Sequence, residues 1–127
     1  MWNKATMMLL MITLGGWTMA GEPEEKTIEG EVIDMGCYTS REARGEEHAD
    51  CAARCLSGGT PAGILTDDGE LYTIAGPAMG YSKYAAKTIR LTGSVRANAI
   101  RPQKMEVKEE KKWQEVALQF GSPKTDD

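Results

Sequence analysis

Cysteine, histidine and aromatic side chains are scarce in this chain of 127 residues, which has three cysteines, one histidine and a single phenylalanine. With one histidine, general acid–base chemistry has few members to draw on, and no serine, histidine and acid stand at a catalytic spacing. The composition therefore favours a binding protein over an enzyme. A basic excess is missing too. Fifteen Lys and Arg stand against nineteen Asp and Glu, for a net charge of −4, which is the wrong sign for a nucleic-acid partner, whose phosphates favour basic patches. Beyond the first twenty residues no apolar run approaches the roughly 20 residues that a spanning helix needs, so no membrane span is expected there. The motifs CxxC and CxxCH are absent, which leaves little support for a thioredoxin-like redox role and none for c-type haem attachment.

The first twenty residues, MWNKATMMLLMITLGGWTMA, carry one base, Lys4, no acid, and an apolar centre over 7–14. Thr18-Met19-Ala20 before Gly21 fits a small-x-small cleavage site, so residues 1–20 are expected to be a secretory signal peptide and the product periplasmic or secreted. The alternative is an uncleaved anchor, but its apolar run is short and broken by Gly15-Gly16. No cysteine sits at the cleavage point, which argues against a lipoprotein. Cleavage removes five of the eight methionines and moves the charge from −4 to −5, because Lys4 is the only charged side chain lost. The remainder is long enough to bury one core and too short for two.

Residues 21–26 are acidic, contain Pro23 and read as a flexible lead-in. Over 27–35 apolar and polar residues alternate, with Ile28, Gly30 and Val32 on one face, as in a half-buried strand. Gly36 ends it. Residues 39–45 read as loop and 46–56 as a helix stopped by Gly58-Gly59. Asp67-Asp68-Gly69 is a hairpin signal between strands at 62–66 and 70–75. A short helix is expected at 81–87, strands at 88–97 and 104–108, and a turn at 98–102. The charge run over 109–112 opens a C-terminal appendage, residues 109–127, with a disordered end. Its WQEVALQF stretch is free to add an edge strand or to pack across an open end of the domain.

Strand, insertion, two strands, short helix, two strands is the order of a five-stranded OB-fold, a partly open Greek-key barrel. The expected class is mainly β with short helices and a Cys/His helical insertion between strands 1 and 2. The runs TIEGEVIDMGCY, PAGILTDDGELYTI and KTIRLTGSVRANAIRPQKMEV resemble small exported bacterial OB-fold proteins. In these a GEVxDxxCY strand end precedes an H-x2-C-x3-C segment. The resemblance covers residues 27–108 and implies this fold, with no settled activity attached.

All three cysteines and the histidine fall within 37–55, as C-x10-H-x2-C-x3-C. On a helix over 46–56, His48, Cys51 and Cys55 share one stripe, being three and four apart. Cys37, at the strand end, is placed to close over that stripe from the side. Cys37, His48, Cys51 and Cys55 are therefore the candidate metal ligands. Three thiolates and an imidazole suit tetrahedral zinc, and soft sulfur also suits copper(I). The Cys-x3-Cys pair resembles that of exported thioredoxin-like copper-delivery proteins, which have another fold. Glu46, Glu47 and Asp50 flank the site, either orienting His48 or keeping that face soluble.

Two other readings use the same residues. Cys37 bridged to Cys51 or Cys55 would staple the insertion to the barrel, worth roughly 3 kcal/mol for a loop of about 15 residues. The domain would then be an interaction module whose barrel face or Trp113 tail recognises a protein or glycan, with His48 in solvent. Thiol redox chemistry is the third. The odd cysteine count favours a ligand cluster, because a staple leaves one exported thiol unpaired. Elsewhere, the Asp67–Glu70 acids lack calcium-loop spacing. Tyr72, Tyr81 and Tyr84 are expected in core packing, and Arg90, Arg96, Arg101 and Lys104 on a solvated face.

Overall fold

The computed structural model describes residues 21–118. The expected signal peptide at 1–20 and residues 119–127 of the expected appendage lie outside the described residues. Among the described residues, six strands and four short helical segments follow one another. They are β1 (Glu24–Asp34), α1 (Met35–Arg41), a 3-10 turn (Glu46–His48), α2 (Ala49–Ser57), β2 (Ala62–Leu65), β3 (Leu71–Ile74), a 3-10 helix (Ala78–Tyr84), β4 (Thr88–Arg96), β5 (Ala99–Glu109) and β6 (Lys112–Val116). No helix among the described residues is long and apolar enough to cross a membrane.

The sheet order is β3-β2-β1-β4-β5-β6, and a parallel pairing of β3 with β5 closes the first five strands into a barrel. This is the expected OB-fold, with the Cys/His segment inserted between β1 and β2. β1 makes the closure possible by serving two neighbours. Its residues from Glu24 to Glu31 pair with β4, and those from Glu31 to Asp34 pair with β2. At the changeover a Cβ on Gly30 would lie 2.3 Å from the Leu65 carbonyl oxygen, so the backbones meet where only glycine fits. A second close approach is at Gly93, where β4 and β5 slip register opposite Pro102 and an added Cβ would lie 2.1 Å from the Arg101 oxygen.

The inward faces supply the core that the alternation pointed to, with Ile28, Val32, Ile64, Ile74, Ile89, Leu91, Val95, Ile100, Met105 and Val107 all buried. Leu56 of α2 and Tyr81 of the 3-10 helix complete it. α2 packs on β1 and on that 3-10 helix, so the insertion is anchored from below by an apolar side chain with no exposure.

Several boundaries differ from the sequence reading. β1 starts at Glu24, taking up half of the expected lead-in, because Glu24 to Lys26 find partners on β4. The strand ends at Asp34 and a helix begins at once, so Gly36 lies inside α1 instead of breaking a strand. The expected loop over 39–45 is helical as far as Arg41. The appendage folds back as β6 on β5, and Trp113 lies over the Arg90 guanidinium at 4.0 Å. Arg90 also faces Glu29 and Glu106, so the expected solvated face is an ordered network at this point.

Gly30→Ala is expected to destabilise the domain by about 1–3 kcal/mol, the range for forcing an extra carbon into a packed contact. The measurement is urea denaturation, read as a lower midpoint at unchanged slope.

Candidate metal centre

The site begins with a buried acid. Asp34 closes β1, and its side chain has no solvent exposure. Its Oδ1 accepts from the Cys37 backbone N–H at 2.8 Å, the N-cap bond that starts α1 one residue past the strand. Its Oδ2 lies 3.0 Å from Nε2 of His48, whose side chain is 13% exposed. Burial alone would push this carboxyl up. The Cys37 N–H and the His48 ring outweigh that and hold it below the ordinary carboxylate range.

α1 and α2 each contribute sulfur. Cys51 and Cys55 are four apart on α2 and share its side, while Cys37 is the third residue of α1. The three sulfurs lie within 4.8 Å of one another, partly exposed, and all three thiols are free. A second trio shares Cys37, in which its sulfur, a ring nitrogen of His48 and an Asp34 oxygen also lie within 4.8 Å of one another. The four expected ligands thus fall into two overlapping trios joined through Cys37, with His48 grouped with Cys37 and Asp34 and not with Cys51 and Cys55. Tetrahedral thiolates at 2.3 Å from zinc stand about 3.8 Å apart, so drawing the three sulfurs onto one ion shortens their separations by about 1 Å at most.

The Cys37 thiol is not an activated nucleophile. Burial, then the Asp34 carboxylate beside it, push it from 9.0 up to about 11, against the opposing pull of Arg41. The Arg41 guanidinium donates through Nη2 to the Cys37 sulfur at 3.6 Å, one turn along α1. A bound cation would displace the thiol proton and reverse this balance, as coordinating metals do.

Three details differ from the sequence reading. Cys37 reaches the cluster from a helix of its own, not from a strand end. The 46–56 helix is split, with a 3-10 turn over Glu46–His48 and α2 from Ala49, so His48 stands at the N-cap position of α2, without a side-chain capping bond, ahead of the helix that carries Cys51 and Cys55. Its ring consequently turns toward β1, and the carboxylate it meets is Asp34, not Glu46, Glu47 or Asp50. No bridge joins Cys37 to Cys51 or Cys55, and His48 is largely covered instead of standing in solvent. Asp34 was missed as a site residue. Its signal was present, because aspartate is among the best N-cap residues and stands three before Cys37.

No protein-family model, curated protein or solved structure matches this chain.

In metal-free, reduced protein at pH 8, alkylation of Cys37 is expected to be about 10-fold slower than that of an ordinary cysteine, because its raised pKa cuts the thiolate fraction by more than it raises the thiolate's nucleophilicity. The rate should keep rising with pH up to about 11. Mass spectrometry of iodoacetamide-treated protein, resolved by peptide, measures it.

Proposed function

We propose that this protein is an exported metal-binding protein that holds a thiophilic ion, zinc or copper(I), with Cys37, Cys51 and Cys55 as a sulfur core and His48 as a nitrogen ligand. The observation that carries the reading is the sulfur trio. Three free thiols from two separate helices lie within 4.8 Å of one another on a scaffold that offers no fourth cysteine. A staple would use two of them and leave the third idle. An ion uses all three, and Arg41 offsets part of the negative charge that three thiolates bring to it.

The two metals make different demands on the same residues. Zinc in protein sites is almost always four-coordinate, so it draws on His48. Copper(I) is satisfied by sulfur alone and accepts lower coordination. Export belongs to the proposal through the leader-like residues 1–20, and an oxidising compartment is where a bound ion would protect three neighbouring thiols from pairing.

Protein expressed from the whole chain and recovered from outside the cytoplasm is expected to begin at Gly21 by mass and to carry close to one equivalent of metal by elemental analysis. Cys51→Ser should abolish retention. One free thiol per chain, no metal, and indifference to His48→Ala would instead identify a stapled barrel.

His48→Ala is expected to weaken zinc by roughly tenfold or more, through loss of the fourth ligand. Copper(I) affinity should change by less than about threefold, because the sulfurs remain. Competition with chromophoric chelators reads both.

A further inference from the structure

We propose that Asp34 is the positioning residue of this centre: its carboxylate fixes the tautomer of His48, so that Nδ1 is the ring nitrogen carrying a lone pair for the metal. The inference rests on the metal reading above and extends it to a residue with no direct part in the sulfur core.

The geometry leaves the carboxylate no other arrangement. An ionised carboxylate only accepts hydrogen bonds. Oδ1 already takes the Cys37 N–H at 2.8 Å, and Oδ2 faces Nε2 of His48 at 3.0 Å. Nε2 must therefore be the protonated nitrogen. In a neutral imidazole only one nitrogen carries hydrogen, so the lone pair is on Nδ1. Asp34 has no exposure, so bulk solvent does not reach either oxygen. Carboxylate, imidazole and metal in series is how proteins orient a histidine ligand and raise its basicity. Here the same carboxylate also caps the helix that bears Cys37, so a single buried group sets the direction of a nitrogen and of a sulfur, the histidine being fourteen residues away in the chain.

Asp34→Asn separates these two roles. The amide oxygen can still cap α1 at Cys37. The amide nitrogen then donates to Nε2, which becomes the acceptor, and the ring proton moves to Nδ1, where it blocks coordination. His48 is the only histidine in the chain, so its ring nitrogens give unambiguous nitrogen-15 signals.

The test combines that spectrum, recorded on metal-free wild-type and D34N protein at a pH where the ring is neutral, with zinc affinities of wild type, D34N, H48A and the double variant. The expected spectrum has wild type protonated at Nε2 and D34N at Nδ1. The expected affinities put D34N about 10–100-fold below wild type, the usual effect of removing a carboxylate behind a histidine ligand. The double variant should be no weaker than H48A alone. Nδ1 protonation in wild type would overturn the proposal, and that measurement needs no variant to fold. Full zinc affinity in D34N would also overturn it. So would an equal loss when Asp34→Asn is added to H48A, since the acid would then act only through the helix cap. Wild type that binds no zinc or copper(I) yet shows the Nε2–H tautomer would remove the metal reading and leave the Asp34–His48 assignment standing.

Discussion

A carboxylate sealed from water has to find all its donors inside the protein, because an unpaired buried charge costs several kcal/mol. Asp34 meets that demand with one backbone N–H and one imidazole nitrogen, and the site is built from the same two bonds. The first bond ends β1 and begins α1 without a loop, which places Cys37 on a rigid turn close to the barrel wall. The second pulls His48 back to the strand end, fourteen residues after the acid. Neither Cys37 nor His48 belongs to the apolar core, so the core does not hold them in place. What fixes them is electrostatic and local.

The barrel supplies the fixed end of this arrangement. β1 is the strand shared by two neighbours, and its last four residues are locked against β2 in the register Glu31 to Leu65 through Asp34 to Ala62. Gly30 lets the chain bend into that second pairing, since any side chain there would meet the Leu65 carbonyl. Asp34 is therefore anchored by the ladder that closes the barrel. From the other side, Leu56 sinks into the core and sets the depth of α2, and with it the height of Cys51 and Cys55. The sulfur trio is the meeting point of a strand-anchored helix and a core-anchored helix.

The fold was legible in the chain because period-two alternation and turn chemistry dominate it. Ile28-Gly30-Val32 and Ile89-Leu91-Gly93-Val95 are buried as their spacing implies, and the Asp68-Gly69 turn has its glycine at φ 86°. The β5–β6 hairpin was harder to read, because its turn places Glu110 and Lys111 at φ 48° and 67°. That is the backbone usually given to Asn-Gly, and tertiary pairing imposes it on residues with no turn preference. The ligand set could be found from the crowding of scarce residue types into one segment. The histidine's partner could not be found by local spacing. Glu46, Glu47 and Asp50 are nearer in sequence, yet the ring meets Asp34, fourteen residues before it. A single glycine read as a stop also hid α1, since an N-cap bond at Asp34 outweighs the helix penalty of Gly36.

The chain leaves the barrel at Asp34 and re-enters it at Ala62, and these two residues are partners on adjacent strands. The ligand-bearing excursion thus departs and returns at one doorway and alters no strand connection on its way. In topological terms it is a cassette. Its length and chemistry can vary between descendants of this scaffold, so long as something replaces the apolar plug that Leu56 provides, while the order in which the strands join stays untouched.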